Sequence, residues 1–571
     1  MTQQKIKLQQ RVCNEHLLNE NTQLHPILQR IFSAREIQSF EQVEYSLKSL
    51  IPPDQITNLQ QAADCLVTHL QQKSNILIFG DYDADGATST ALCVRALGLL
   101  GHSNINFVLP DRFKDGYGVS LGVAERLVEL KPDLVITVDT GIASFKGLEC
   151  LRQANIDVIV TDHHLPADAL PDATVIVNPN AYSQSKGKNL AGVGVAFYLM
   201  LAVRSALRST DWFKSKPEPN LAECLDLVAI GTVADLVPLD YNNRILVNEG
   251  LKRLRAGACS AGILKLIEIS GRNRQTLSSQ DIGFSLAPRL NAAGRLDNMT
   301  IGVQTLLTDD ETTASQLVNE LENMNKYRRE IQTQMTEQAV AMLPDVLQEQ
   351  GEHSFVLYQP DWHEGVVGII ASKVKDITYR PVISFASSGD NMLKGSGRSI
   401  SGIHLRDMLD LVDKSEPDLI VRFGGHAMAA GLTIKESDLD SFSTCFETVL
   451  QQHVDPSCFQ NIALSDGEIE PGEMTLDLAK LLRDAGPWGQ KFGMPAFDGK
   501  FKVLDQRVLS NKHLKFVLKP ENASKPVDAI LFFAGDQQLK TNFQTLHIFY
   551  EMNVNEFRGE QSLQLMIRNI F

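Results

Sequence analysis

No two cysteines of the sequence stand in a Cys-x-x-Cys pair. The eight (positions 13, 65, 93, 150, 224, 259, 445 and 458) are scattered without regular spacing. That excludes a zinc knuckle and a disulfide framework and fits a reducing cytoplasm. Long apolar runs are missing too. The longest, residues 193–203, falls well short of the ~20 residues a bilayer crossing needs, and the first twenty residues hold no apolar segment of a secretory leader. The sequence therefore predicts a protein that is neither secreted nor inserted in a membrane. Positive charge is in deficit: 54 Lys and Arg against 69 Asp and Glu leave a net charge of −15. A grip on nucleic acid by bulk charge is excluded, and any such partner must be held locally. From residue 456 onward 13 basic residues face 14 acidic ones, so the acid excess lies upstream. Internal repeats and low-complexity tracts are also absent, and a composition of 43% apolar and 22% charged residues excludes disorder and coiled-coil rods.

What is present is length and pattern. At ~100–200 residues per domain, 571 residues predict three or four domains. Between 75 and 180 short β-branched runs recur: ILIF at 76–79, INFVL at 105–109, LVITV at 134–138, DVIV at 157–160 and TVIV at 174–177. Runs apolar on both faces predict buried parallel strands with crossover helices, an α/β fold. A helical stretch containing AGVGVAF (191–197) and GTVAD (231–235) completes this domain, over 51–305, behind an N-terminal extension of residues 1–50. A connecting helix is predicted at 306–348: Thr308 and Glu311 have capping-box spacing, and apolar residues at steps of three, four and seven run on to an end near Pro344. Alternating signals at 349–455 (FVLY, PVISFA, LIVRF) predict a smaller α/β domain. Short alternating segments over 456–571 predict a closed β-barrel of the OB type.

Ligands of open parallel sheets bind beyond the carboxyl ends of the strands. There the sequence places Asp81, Asp83 and Asp85 (DYDADG), Asp139 (VDTG) and Asp162-His163-His164 (TDHH); Asp235 of GTVAD is a further candidate from the helical half. Three carboxylates within five residues repel one another unless cations neutralise them. A carboxylate-rich set with one imidazole suits Mg²⁺ or Mn²⁺ rather than structural zinc. Two such ions sharing a carboxylate lower the pKa of a bound water and stabilise an in-line phosphoryl displacement, so phosphoester hydrolysis is the expected reaction.

DYDADG, VDTG and TDHH, in this order and spacing, resemble the signature motifs of the DHH phosphoesterase superfamily. DWHEGVVGI (361–369), GSGRS (395–399), FGGHAMAAG (423–431), PRLNAAGRL (288–296) and the terminal barrel narrow the resemblance to the RecJ family of single-strand-specific DNA exonucleases. It implies a DHH catalytic domain, a DHHA1-like substrate-binding domain and an OB-like single-strand-binding domain. The implied activity is a 5′-to-3′ exonuclease that releases mononucleotides in recombination and mismatch repair, with two ions of Mn²⁺ or Mg²⁺. By motif position Asp83, Asp85, Asp139, His163 and Asp235 would hold the metals with Asp139 bridging. Asp81 would support or ligate, and His164 would contact the scissile phosphate. Phe79 stands where several superfamily members carry a histidine, which removes one ligand from the first metal's shell. Arg112 and Arg289 would bind a 5′-phosphate and block the channel behind it. Ser396, Arg398, Gly425 and His426 would hold the DNA end. Lys500, Lys502, Lys512, Lys515 and Lys519 are candidates for a basic groove on the barrel, where Phe501, Phe516, Phe532 and Phe549 alternate mostly as packing residues. Implied partners are single-stranded DNA with a 5′ end, a single-strand-binding protein and a recombination helicase, the enzyme acting as a monomer in the cytoplasm.

Two other readings compete. A phosphoesterase of small substrates needs only the two α/β lobes, and the barrel and long helix go beyond that. A catalytically silent scaffold has no reason to keep so much unpaired negative charge on one edge.

Overall fold

The computed structural model describes residues 6–13, 24–521 and 525–571; residues 1–5 and 14–23 of the predicted N-terminal extension lie outside the described residues. The chain forms two compact units, Gln10–Glu322 with Leu464–Phe571, and Asn323–Ala463 with the segment that ends at Gln9.

In the first unit the described extension is part of the packing. Helix α1 (Pro26–Ser33) stacks Phe32 on Trp488, centroids 6.0 Å apart, and Arg35 forks onto Asp466 at 2.8 and 3.0 Å. After α2 (Leu59–Gln72) come five strands: β1 (Ile76–Gly80), β2 (Ile105–Val108), β3 (Leu134–Val138), β4 (Asp157–Thr161) and β5 (Val175–Val177). They form an all-parallel sheet in the order β2-β1-β3-β4-β5. The predicted apolar runs are these strands; the continuous apolarity of β1, β3, β4 and β5 follows from burial on both faces, whereas the edge strand β2 is only half-buried, and α3 (Ala84–Leu99), α4 (Leu121–Glu129) and α5 (Phe145–Gln153) are the crossovers. The crossover direction reverses between β1 and β3, which opens a crevice at their carboxyl ends. Phe79 is fully buried in the sheet core with Val135 and Leu148.

The helical half contributes α6 (Gly192–Arg208), α7 (Leu225–Ala234), a π-turn at Ile282–Leu286 and α8 (Ala287–Leu296). The long helix α9 runs Glu311–Gln350. Two expectations are corrected here. Its N-terminal cap is Asp310, whose Oδ1 accepts from the Thr313 N–H at 2.7 Å, rather than Thr308. It also does not end at Pro344: the missing N–H frees only the carbonyl of Val340, a residue exposed enough for water to take its place.

In the second unit β6 (Phe355–Tyr358), β7 (Val382–Ser387), β8 (Met392–Arg398), β9 (Arg422–Gly425) and β10 (Ala429–Lys435) form a sheet in the order β9-β10-β8-β7-β6, parallel only between β6 and β7, with α10 (Val367–Thr378) against it. Sequence pattern does not reveal β8 or β10, because glycines dilute their strand signal. Gly395 is required all the same, since a Cβ there would lie 2.5 Å from the Phe385 ring. The predicted LIVRF strand starts only at Arg422.

Back in the first unit, β11 (Phe497–Leu509), β12 (His513–Pro520), β13 (Val527–Leu531), β14 (Thr545–Phe557) and β15 (Glu560–Ile570) close a barrel in the order β11-β12-β13-β15-β14, sealed by the parallel pair β13–β15. Among the described residues no helix is long and apolar enough to cross a membrane.

Candidate active site

Four segments of the first unit deliver the chemistry-bearing side chains to the crevice. The DYDADG turn follows β1, and Asp83 caps α3 by accepting from the N–H groups of Asp85 and Gly86 at 2.9 and 3.0 Å. Asp139 ends β3 with φ +60°, a left-handed backbone uncommon outside glycine, fixed by its N–H donating to the Thr161 carbonyl. Asp162, His163 and His164 follow β4, and Asp235 ends α7. Three overlapping groups result: Asp81, Asp83 and Asp139; Asp85, His163 and Asp235; and Asp139, His163 and His164. In each group the ligating atoms lie within 4.8 Å of one another. His163 Nε2 stands 3.2 Å from Asp139 Oδ1 and 3.5 Å from Asp235 Oδ2.

The N-terminus of α6 closes the floor. The Gly192 and Val193 N–H groups donate to the two oxygens of Asp85 at 2.7 and 2.9 Å, and the helix's positive end favours that carboxylate. A Cβ at Gly192 would stand 2.5 Å from the Asp139 Cβ, so only glycine lets α6 approach this closely.

The electrostatics is that of a site built for cations. Burial first, then mutual repulsion, pushes Asp85 (beside Asp235) and Asp235 (beside Asp83) up to about 7, and holds Asp81 and Asp139 well above the carboxylate range. His163 is lowered by burial and by the neighbouring His164, which favours a neutral, ligating imidazole. Asp81 Oδ1, Asp139 Oδ1 and His163 Nε2 are buried without an aligned hydrogen bond, the last two facing each other at 3.2 Å. Buried polar atoms are seldom left unpaired, and two divalent ions would satisfy all three.

Sequence reasoning did not assign a role to several residues that organise this set. Asp162 is fully buried and accepts from the N–H groups of Ile142, His163 and His164; its Oδ1 also meets His164 Nδ1 at 2.7 Å. Burial would raise Asp162 and lower His164, but their charge and hydrogen bond bring Asp162 down to about 2 and raise His164 to about 10. Asn178 and Asn180 hold the carbonyls of His164 and His163; the NPN run directly after β5 was the available signal. Asn291 of α8 accepts from the Ala84 N–H at 2.8 Å and braces the DYDADG turn. Tyr117 places its hydroxyl 3.1 Å from His164 Nδ1.

The other predicted residues divide. Arg112 lies over the Tyr82 ring, 5.1 Å from its centroid, at the edge of the site. Arg289, expected at a 5′-phosphate, is 6% exposed and turned by α8 into the helical packing, with Nε on Glu322 at 2.7 Å and Nη1 on the Ser285 carbonyl. In the second unit Arg398 donates to Ser396 Oγ at 3.1 Å, and a Cβ on Gly368 in α10 would meet both side chains, so serine and arginine sit at that helix's N-terminal turn. Gly425 has φ +142°, and the His426 N–H donates to the Ala429 carbonyl. On the barrel Phe501 and Phe516 are buried, whereas Phe532 is 44% exposed and is not a packing residue. Lys515 pairs with Asp528, while Lys500, Lys502 and Lys512 face solvent.

The chain matches the DHH family N-terminal domain over residues 75–232, the DHHA1 domain over 351–452 and the RecJ OB domain over 465–569. It is 46% identical over 574 residues to the single-stranded-DNA-specific exonuclease RecJ of Escherichia coli, covering 100% of this chain and 99% of that protein. The Bacillus subtilis protein of the same name is 33% identical, covering 97% of this chain and 69% of that protein. Among solved structures, RecJ of Thermus thermophilus in complex with Mn²⁺ is similar at a TM-score of 0.83 and 28% identity, over all of this chain and 80% of that one. The Mg²⁺ complex gives 0.76 and 27%, over 100% and 78%.

Proposed function

Since the chain belongs to the RecJ family, we propose that it is a single-stranded-DNA-specific exonuclease that works with two divalent ions, Mn²⁺ or Mg²⁺, and removes mononucleotides in the 5′-to-3′ direction. The observation that carries this reading is the convergence of three buried ligand atoms that lack an aligned hydrogen bond, on Asp81, Asp139 and His163, within a cluster of five carboxylates. Asp83, Asp85, Asp139, His163 and Asp235 would hold the ions, with Asp139 shared and Asp81 in support. When bound, the ions acidify the attacking water and offset charge on the phosphoryl oxygens.

The protein's own groups do the rest. Asp162 keeps His164 charged and oriented, so the imidazolium can donate to a phosphate oxygen. Arg112, Ser396, Arg398, Gly425 and His426 offer charge and backbone donors to the strand's phosphates, and a held terminal phosphate would make cleavage count from the 5′ end. Arg289 serves this reading as a brace of α8. Work in recombination and mismatch repair in the cytoplasm, as a monomer recruited by a single-strand-binding protein and a helicase, is part of the same proposal.

The test is a time course on single-stranded DNA labelled at the 5′ or the 3′ end, in Mn²⁺, Mg²⁺ and chelator, beside a blunt duplex. Immediate release of a labelled mononucleotide from the 5′ end is expected, with slow shortening of the 3′-labelled strand and nothing in chelator. Release from the 3′ end first, or equal digestion of the duplex, would overturn it.

A further inference from the structure

Tyr117 lies in the loop between β2 and α4, and both neighbours have left-handed backbones, φ +75° at Gly116 and +77° at Gly118. A Cβ at Gly118 would stand 2.7 Å from Ser144 Oγ, the same hydroxyl that accepts from the Val119 N–H at 2.9 Å. Gly118 thus lets the loop press against the chain after β3, and the left-handed backbone at both glycines turns the loop so that the tyrosine is presented outward. The side chain is 44% exposed, so core packing does not account for it. Its hydroxyl meets His164 Nδ1 at 3.1 Å, on the nitrogen that Asp162 Oδ1 meets at 2.7 Å. Its ring stands edge-on to His164, centroids 5.6 Å apart, and edge-on to Tyr82 at 6.5 Å, the ring over which Arg112 lies. One side chain therefore links the histidine assigned to the scissile phosphate with the arginine assigned to the strand's end.

We propose that Tyr117 is a positioning residue for phosphodiester hydrolysis: its hydroxyl fixes the rotation of the His164 imidazole, and its ring gives the terminal nucleotide a wall on the Tyr82–Arg112 side. The Nδ1 of a charged imidazole carries one hydrogen, which Asp162 Oδ1 takes at 2.7 Å; the Tyr117 oxygen at 3.1 Å shares it as the second, weaker acceptor, and its ring stands edge-on to the imidazole, so the tyrosine narrows the ring's rotation about that bond. Orientation of this kind acts on the turnover step.

The inference rests on the nuclease reading, and the full chain in Mn²⁺ tests both. Steady-state kinetics on 5′-phosphorylated and 5′-hydroxyl single strands would compare wild type, Tyr117→Phe and Tyr117→Leu, with Mn²⁺ titration calorimetry and thermal melting of each protein without DNA. Tyr117→Phe is expected to lower kcat about 10-fold, the ~1.4 kcal/mol of one hydrogen bond, while KM, Mn²⁺ affinity and melting temperature stay within error. Tyr117→Leu is expected to show the same kcat loss and, in addition, a KM raised about 5-fold with a narrower preference for the 5′-phosphate. A Tyr117→Phe kcat within two-fold of wild type overturns the proposal, and so does a loss that tracks Mn²⁺ affinity or melting temperature. Wild type that cleaves no single strand overturns the nuclease reading and this inference with it, an outcome set apart from the others by the wild-type control.

Discussion

Asp139 carries the most unfavourable environment in the site: a left-handed backbone, full burial, and repulsion from Asp85, Asp83, Asp235 and Asp81. Such strain persists where function requires it. Replacing it by the isosteric amide should therefore separate stability from function. Asp139→Asn is expected to reduce hydrolysis at least ~1,000-fold while single-strand binding, read by fluorescence anisotropy, survives; full activity would contradict the two-ion mechanism. The same repulsion predicts a pH dependence. Asp85 and Asp235 titrate at about 7 in the fold against ~3.9 in an unfolded chain. Between those values the metal-free folded state binds more protons than the unfolded one, so its stability is fully present below ~4 and falls as pH rises through about 7. Calorimetry in chelator is expected to give a lower melting temperature at pH 8 than at pH 5.5, and Mn²⁺ is expected to raise it by more at pH 8, where no protons need be displaced.

Elements matter here through their ends. The termini of β1, β3 and β4 and the first turns of α3 and α6 meet in one crevice, so the ligands sit on backbone whose hydrogen bonds are already fixed. Helix α8 illustrates how far one element reaches: Asn291 holds the DYDADG turn, Gly294 lies so close to the Tyr82 carbonyl that a Cβ would stand 1.7 Å from it, and Arg289 anchors the helix on Glu322. Arg289→Ala leaves Glu322 without this buried partner and is expected to destabilise the unit by roughly 3 kcal/mol, read as a lower urea midpoint. Preference for 5′-phosphorylated ends in the folded fraction should be unchanged. A lost end preference with unchanged stability would restore arginine to the role its motif suggested.

At the scale of the whole molecule, the α/β class, the parallel strands and the barrel were legible because each is written in a local period: β-branched runs for buried strands, alternation for the barrel. The ligand types were legible as well, since DYDADG, VDTG, TDHH and GTVAD each stand at an element's end. Strands β8 and β10 were not, because their glycines serve close approaches such as Gly395 to Phe385 that local propensity does not record. The integration of α1 with the barrel side through Arg35 and Asp466 was invisible for a related reason, since 431 positions separate the pair. Sequence alone thus determined the fold class and the residue types gathered at the candidate metal site. Tertiary structure alone decided which carboxylates share a space, that Arg289 turns inward, and that Asp162 and Tyr117 meet on one histidine nitrogen. The physical reason is that periodicity and motif are properties of neighbouring residues, whereas burial, repulsion and orientation arise where distant segments touch, as Asp85 touches Gly192 across 107 positions.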